Sequence, residues 1–283
     1  MTKIRVASPP SLGVSAKRLE QSHPYLSDQL LKSESLRDAR LAHYANDVRL
    51  AAYEQLQTHL EGVWRDFQKH EVLIELAFLA WRAKGDFETC LESTLSGYPA
   101  VAQDSMRDVM EIEFLLREFF FEPNHIGDWL ACSDKERHER FRPALLRQRY
   151  AKRLGKQPQD LGEAADYKGH SMFLHVSPRA NPFGGPGLVV DVSPSGADGG
   201  FWEMFAHARS IVHAFYFLRK KIAPKLKASV QAPRSLTLLR RAWEQTQRTQ
   251  MLWLAAMQVM AEHAEEAEAL RTAPQGGPPS ASS

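Results

Sequence analysis

The chain has 283 residues, a formal net charge of +2, and apolar and charged fractions of 43% and 25%. This composition is typical of a globular protein, and two cysteines are too few for a disulfide framework or a cysteine-rich zinc site. The longest apolar run, Val72–Trp81, contains Glu75 and is about half as long as a membrane span. We therefore expect a cytoplasmic protein with no membrane span.

Proline, glycine and apolar periodicity divide the first hundred residues. Residues 1–24 contain three prolines and little periodicity, and we interpret them as a flexible arm. Residues 34–70 have apolar side chains at helical spacing, which predicts one long helix and a candidate dimerisation element. Val72–Lys84 is apolar on nearly all sides, which predicts a buried helix ending at Gly85. A short helix over 87–96 follows.

The middle of the chain has two strong helix signals. Pro99–Phe121 begins with a proline, which suits the first helical turn, and has a heavy apolar face. A second helix is predicted over 133–154, where Ser133 and Glu136 form a capping-box pattern. Pro143 predicts a kink within it.

The last part of the chain contains helices around one irregular segment. Tyr167–His175 is predicted to be helical, and a glycine- and proline-rich loop follows over 177–200. Further helices are predicted over 201–222 and 234–270, and a disordered tail over 272–283.

These elements predict an all-α fold, with about eight helices in a single domain over residues 25–271. The long loop at 177–200 is the main irregular part, and 188–192 within it is the only short strand candidate.

Five polar residues have a spacing that favours a cluster. Tyr167, Ser171 and His175 lie four residues apart, and Arg107 and Glu111 share that spacing on another helix. If the two helices pack together, these side chains form either a self-satisfying structural network or a site. His175 is the best acid/base candidate, because the unperturbed pKa of histidine is closest to neutrality.

Two stretches, 135–156 and 204–243, are strongly basic. They are either solvated helix faces or a surface for phosphates and hence for nucleic acid. The residues expected to bind nucleic acid are Arg142, Arg147, Arg149, Arg153, Lys220 and Lys221.

Metal and cofactor signals are weak. Glu203 and His207 are a possible pair, but nothing completes it at recognisable spacing. The glycines between 184 and 200 match neither a phosphate-binding loop nor a dinucleotide fingerprint. We therefore predict no metal and no cofactor.

An Arg-x-x-x-Glu helix, a Pro123…Trp129 segment, a basic helix and a Tyr-x-x-x-Ser-x-x-x-His pattern follow one another here. This order resembles a group of bacterial helical proteins related to the HEPN superfamily, over about residues 70–260. The resemblance implies a dimeric helical bundle and, in catalytic members, metal-independent RNA cleavage in toxin–antitoxin pairs or phage defence. The positions matching the group's pattern, which it implies are catalytic, are Arg107, Glu111, Tyr167, Ser171 and His175.

The HEPN nuclease signature is an arginine followed after four to six residues by a histidine. Arg37 with His43 and Arg65 with His70 match that spacing. Arg107 with His175 is the favoured pair for ribonuclease chemistry, because it belongs to the denser polar cluster. The other two pairs remain alternatives.

These observations predict a HEPN-like helical protein that binds or acts on RNA or DNA, with metal-independent ribonuclease activity as its enzymatic form. The expected partners are nucleic acid, a second copy of the chain, and an antitoxin or defence-system protein. The alternative is a non-catalytic protein-interaction module whose polar cluster only fixes the packing. A third reading is a small-molecule or nucleotide pocket under the 177–200 loop.

Overall fold

A computed structural model of the chain describes residues 19–161, 167, 194–222, 235–249 and 251. Within these residues all regular structure is helical, and no strand occurs, so the all-α prediction is confirmed. Residues 235–249 are helical, and eight helices have both ends described. These are α1 (Pro24–Tyr44), α2 (Val48–Phe67), α3 (Ala77–Leu95), α4 (Pro99–Phe121), α5 (His125–Ala131), α6 (Asp134–Phe141), α7 (Pro143–Arg153) and α8 (Asp198–Ile222).

Helix α4 is the centre of the bundle and packs against α3, α7 and α8. Its predicted bounds, Pro99–Phe121, are confirmed. Apolar residues repeat every three or four positions, so that most of its surface is buried against these neighbours. The largest buried side chains of α4 are Met106, Met110, Phe114, Leu116 and Phe119. Polar residues at its margins therefore lie beside α3 and α7.

The single helix predicted over 34–70 is wrong, because α1 ends at Tyr44 and α2 begins at Val48. Asp47 has extended backbone, and its carboxylate accepts the Arg49 backbone N–H at 2.8 Å. This N-cap bond competes with continuation of the helix, which is why Asp favours helix starts over helix interiors.

The predicted helix end at Gly85 is also wrong, because α3 continues through it to Leu95. Glycine costs only about 1 kcal/mol relative to alanine inside a helix, and packing against α2 and α4 outweighs that cost. Gly97, with a φ of 83°, comes two residues after α3 and permits the turn into α4.

The expected burial of Val72–Lys84 holds only for part of that segment. Val72, Ile74, Phe78 and Trp81 are 62%, 48%, 47% and 52% exposed. Val72 and Ile74 lie just before α3 and Phe78 and Trp81 in its first two turns, so several apolar side chains are exposed in this part of the chain.

The capping box of Ser133 and Glu136 is confirmed at the start of α6. Pro143 separates α6 from α7 rather than kinking one helix. Arg142 before it is extended, with φ −60° and ψ 146°, as steric contact with a following proline favours.

Residues 194–200 of the predicted loop form a 3₁₀ turn and the first turn of α8. The rest of that loop, the strand candidate at 188–192, most of the arm and the tail lie outside the described residues. No helix in the described ranges is long and apolar enough to cross a membrane.

A buried charge cluster joins the α1–α2 turn to the start of α8. The Arg49 side chain is 4% exposed and forms ion pairs with Asp47, at 2.7 Å, and with Asp198. The Tyr44 hydroxyl donates to Asp198 at 2.7 Å. The Arg49 guanidinium lies 4.7 Å from the Tyr44 ring centre and 5.2 Å from that of Phe201. This cluster ties three separate elements together.

Candidate functional site

Tyr167 lies against α4, between two of the residues predicted to accompany it. Its hydroxyl donates to Glu111 Oε1 at 2.9 Å and accepts from Arg107 Nε at 3.3 Å. Arg107 and Glu111 form an ion pair at 3.3 Å, and their side chains are 30% and 35% exposed. The structure therefore brings these three residues together, whereas Ser171 and His175 lie outside the described residues.

The environment of Tyr167 raises the pKa of its phenol. Burial raises the pKa of Tyr167, and the Glu111 carboxylate raises it further, against the opposing effect of Arg107. Tyr167 is therefore a hydrogen-bond donor to Glu111, while the hydrogen bond to Tyr167 raises the pKa of Arg107. A fixed cation, a phenol and a carboxylate are thus presented together at the surface.

Arginines and aromatic rings continue from Tyr167 along α4 and α7. We name this series the arginine–aromatic strip; its members are Arg107, Tyr167, Arg147, Arg117, Tyr150, Phe121 and Arg153. The Arg147 guanidinium lies 4.3 Å from the Tyr167 ring centre. That of Arg117 lies 4.8 Å from the Tyr150 ring centre. Each arginine therefore stacks on a ring, where cation–π attraction adds to packing.

At its Phe121 end, the strip is connected to α8 by a row of aromatic rings. The ring centre of Phe121 is 6.1 Å from that of Tyr150 and 5.1 Å from that of Phe120. Phe120 lies 6.0 Å from Phe217, and Phe217 stacks on His213 at 5.9 Å. Phe121 and Phe217 are 39% and 45% exposed. The row therefore presents partly open ring surfaces.

Exposed cations flank these rings on α8. We name this stripe the α8 edge; its members are Arg209, His213, Phe217, Lys220 and Lys221. They recur at intervals of three or four residues and hence share one side of the helix. Burial lowers the pKa of His213, and the nearby charge of Arg209 lowers it further. Parts of both predicted basic stretches thus border the same row of rings.

Arg149 and Arg153, two of the arginines predicted to bind nucleic acid, form ion pairs with the buried carboxylate of Glu118. Glu118 is 2% exposed and pairs with Arg153 at 2.6 Å, Arg149 at 3.1 Å and His125 at 2.8 Å. Burial favours a raised pKa for Glu118, but the hydrogen bonds from Arg153 and His125 and the arginine charges hold it below its usual range. Much of the charge of these arginines is therefore neutralised within the fold.

The other predicted binding residues have more open surroundings. Arg142, Lys220 and Lys221 are exposed, and Arg147 is half-buried against Tyr167. Their role in binding nucleic acid stays a prediction.

A groove of about 370 Å³ lies beside Glu111, between α3, α4, α5, α6 and α7. The sequence did not indicate it, since its walls come from separate helices. Its aromatic and polar lining residues are Phe78, Arg82, Asp108, Glu111, Trp129, Asp134, Arg137, His138 and Arg142. The Phe78 and Trp129 rings are parallel within 4°, with centres 6.0 Å apart. The groove thus combines an aromatic wall with a polar rim.

Asp86 on α3 is a titratable group that the sequence also did not indicate. Burial and the neighbouring charge of Asp108 raise the pKa of Asp86 to about 7, against the opposing charge of Arg82. Its Oδ2 is buried and has no hydrogen-bond partner among the described residues. No pattern in the sequence marks such a group, because its environment is made by α4.

The alternative nuclease pairs are not seen to meet. Arg37 pairs with Glu92 at 3.0 Å, and Arg65 pairs with Glu61, one turn before it on the same helix. Neither His43 nor His70 has a described hydrogen bond to its predicted arginine partner. Both pairs stay predictions.

Metal binding finds little support among the described side chains. Glu203 and His207 lie 3.8 Å apart on α8, and His207 is buried. The described part of the chain contains no group of three or more His, Cys, Asp or Glu suited to a metal ion.

Comparisons with family models, curated proteins and solved structures found no match to this chain. The likeness to HEPN-related proteins therefore stays a prediction, and function is inferred from the geometry of the strip, the α8 edge and the groove.

Proposed function

We propose that this chain binds single-stranded nucleic acid along the arginine–aromatic strip and the α8 edge. The observation that carries the proposal is the row of partly open rings between cations from both basic stretches. Aromatic faces stack on bases of any sequence, and cations beside them attract the phosphate backbone.

The dimensions of the strip fit a short strand. Helix α4 extends about 21 Å between Arg107 and Phe121, at about 1.5 Å per residue. A stacked strand advances about 3.4 Å per nucleotide, so this length accommodates roughly six nucleotides. The α8 edge lengthens the track beyond Phe121 through Phe120 and Phe217.

The exposed rings favour a single strand over a duplex. Base faces are hidden inside a double helix, and a duplex would meet only the cations. Phe121 and Phe217, at 39% and 45% exposure, would then remain uncovered. A single strand covers these rings and meets the cations together.

Cleavage of the bound strand is a second, separable part of the proposal. In this mechanism the 2′-hydroxyl of RNA attacks the adjacent phosphorus, and the bond from phosphorus to the 5′ oxygen breaks. Arg107 stabilises the charge that develops on the phosphate, and the predicted His175 takes the 2′-hydroxyl proton or protonates the leaving oxygen. The hydrogen bonds of Tyr167 to Arg107 and Glu111 hold the arginine in place. Activity is tested by following labelled RNA and DNA with wild type and His175→Ala, beside a melting curve for each.

Binding is tested by fluorescence anisotropy with labelled single-stranded RNA and DNA across a salt series. Replacing Lys220 and Lys221 by alanine should reduce the slope of log affinity against log salt by about 1.4, because each phosphate contact to a single strand contributes about 0.7. Phe217→Ala should weaken binding by about 1–3 kcal/mol with an unchanged slope, because it removes stacking. Lys32→Ala on α1 is the matched control, since that lysine is exposed and distant from the strip in sequence.

Three results would contradict the proposal. The first is that the folded wild type shows no salt-dependent binding. The second is that it binds duplex and single-stranded nucleic acid with equal affinity. The third is that the Lys32 substitution weakens binding as much as the Lys220 and Lys221 substitutions do.

A further inference from the structure

We propose that the groove beside Glu111 is a docking site for an acidic segment of a partner protein that inserts one large apolar side chain. No member of the strip lines this groove, although Glu111, which does, is bonded to Tyr167 and Arg107. The proposal therefore does not depend on nucleic-acid binding.

The floor of the groove is apolar. It is formed by Leu79, Ile112, Leu115, Phe141 and Leu146. These residues are between 3% and 7% exposed, so each retains only a small open surface, and those surfaces meet at the groove. A cavity of about 370 Å³ lies within the range of pockets that bury a compact apolar group.

The apolar surface continues out of the groove along the start of α3. Ile74, Phe78 and Trp81 follow one another at helical spacing and are 48%, 47% and 52% exposed. Contiguous exposed apolar patches mark interaction sites more often than isolated exposed residues do. A partner segment seated in the groove would cover this patch as well.

The aromatic wall is fixed before a partner arrives. Phe78 is stacked on Trp129, and Trp129 also has the Arg137 guanidinium 5.5 Å from its ring centre and Phe119 edge-on at 5.7 Å. Trp81 rests on Trp64 at 5.1 Å. Rigid aromatic anchors lose little conformational entropy on binding, which favours their use in interfaces.

The charges at the rim specify an acidic partner. Arg82 is paired with Asp108 at 2.6 Å, and Arg137 with Asp134 at 2.7 Å. Arg142 is exposed, and its guanidinium has no ion pair or hydrogen bond with the described residues. The groove lining has three arginines and three carboxylates, and the third carboxylate, Glu111, pairs with Arg107 outside the groove. The Arg142 guanidinium is therefore left without an ion pair in the described part of the chain, and one carboxylate of a partner would complement it.

The same rim disfavours a nucleic acid strand in the groove. The carboxylates of Asp108, Glu111 and Asp134 line it together with the cations. A phosphate at every nucleotide would meet these carboxylates, whereas a peptide places one or two charges where a cation stands. The mixed rim therefore favours a protein segment.

The proposal is tested by selecting displayed peptides on the immobilised full chain. Phe78→Ser protein is added in solution as a competitor, so that peptides binding outside the groove are removed. The enriched peptides are then synthesised and titrated against purified variants. We expect enrichment of one large apolar residue beside Asp or Glu. Phe78→Ser should weaken these peptides at least tenfold. Arg209→Glu on the α8 edge should change their affinity less than twofold.

A charge exchange makes the test specific for the rim. Arg142→Glu should weaken the acidic peptides at least fivefold, and replacing the peptide carboxylate by lysine should restore binding to that variant. Arg142 and Phe78 are exposed, so both variants should melt within a few degrees of wild type. Each titration uses protein shown to be folded by its melting curve.

Four outcomes would overturn the proposal. The first is no enrichment over the Phe78→Ser competitor, and the second is enrichment of basic peptides. The third is a wild-type dimer that Phe78→Ser dissociates, which would make a second copy the occupant. The fourth is loss of RNA affinity in Phe78→Ser and Arg142→Glu without loss of peptide binding, which would assign the groove to nucleic acid.

Discussion

Two clusters in this protein are built from the same three groups, an arginine, a tyrosine and a carboxylate. In the inner triad, Arg49 lies over the Tyr44 ring, and both side chains bind Asp198. Its arginine, tyrosine and carboxylate are 4%, 0% and 23% exposed. Every polar group that contacts the arginine is therefore supplied by the fold.

The outer triad has the same bonds at the surface. Arg107 lies 5.5 Å from the Tyr167 ring centre, and both side chains bind Glu111. About a third of the Arg107 and Glu111 side chains is exposed. A ligand can therefore reach them without opening the fold.

Because the two triads contain the same residue types, it is their different burial that distinguishes a structural cluster from a candidate site. Removing one member of a buried charge group leaves the others uncompensated, whereas exposed members regain water. The inner triad is therefore expected to contribute to stability, and the outer triad to binding.

The largest expected effect is the loss of the inner arginine. Arg49→Met should lower the free energy of unfolding by about 3–5 kcal/mol, because Asp47 and Asp198 lose their buried cation. Arg107→Met should lower it by less than about 1 kcal/mol, because its partners are partly solvated. Urea unfolding followed by circular dichroism measures both. Equal losses would make the outer triad structural and remove the contrast.

Removing one hydroxyl from the tyrosine of each triad gives a second comparison of their contributions to stability. Tyr44→Phe should cost about 1.5–3 kcal/mol, because the hydrogen bond from the buried Tyr44 to the Asp198 carboxylate is removed. Tyr167→Phe should cost clearly less, because Glu111 is open to water. The same unfolding experiment compares the pair, and a larger cost at Tyr167 would contradict the assignment.

Close helix packing beside the inner triad predicts the next effect. A Cβ on Gly200 would lie 2.8 Å from the Thr94 Cβ and closer still to its Oγ1 and Cγ2. Gly200→Ala should therefore cost about 1–3 kcal/mol by forcing α3 and α8 apart. Gly199→Ala is the control, because a Cβ there meets nothing within 4 Å. Partial rescue of Gly200→Ala by Thr94→Ala would identify the clash as the cause.

The outer triad was within reach of sequence reasoning, and the inner triad was not. Arg107 and Glu111 are linked by helical spacing, and Tyr167 belongs to a second pattern with that spacing. Asp198 lies 149 residues from Arg49, and no local pattern joins them. Contacts of that kind depend on how α1, α2 and α8 pack.

The bounds of α4 and the capping box of α6 could be predicted, because proline and Ser–x–x–Glu act locally. The break at Asp47 was missed because apolar residues recur at helical spacing on both sides of it. The groove was missed because Phe78 and Trp129 come from different helices.

The smallest expected effect concerns Asp86, whose pKa is raised to about 7 by burial and by Asp108. The unfolded chain releases this proton near pH 4 and the folded chain near pH 7, so the stability of wild type falls as pH rises between these values. Asp86→Asn cannot ionise and should match wild type at pH 3.5. At pH 8 it should melt roughly 2–4 °C higher, equivalent to about 1 kcal/mol in a domain of this size. The full rise of the pKa would correspond to about 4 kcal/mol, but water reaching this partly buried carboxyl screens its charge and reduces the effect.

Asp28→Asn is the control, because Asp28 is an exposed carboxylate on α1, and its effect on melting should stay small at both pH values. A gain at Asp86 that is equal at pH 3.5 and pH 8 would instead indicate helix propensity or packing. Asp47, which pairs with the arginine of the inner triad, shows the opposite direction of pKa shift from Asp86. The hydrogen bonds and charge of Arg49 outweigh burial and hold the pKa of Asp47 below its usual range, whereas Arg82 does not offset the burial of Asp86 and the charge of Asp108. A carboxyl whose pKa is raised by burial and by the charge of Asp108, a residue that also lines the groove, is a candidate functional group, because perturbed pKa values cluster at functional sites.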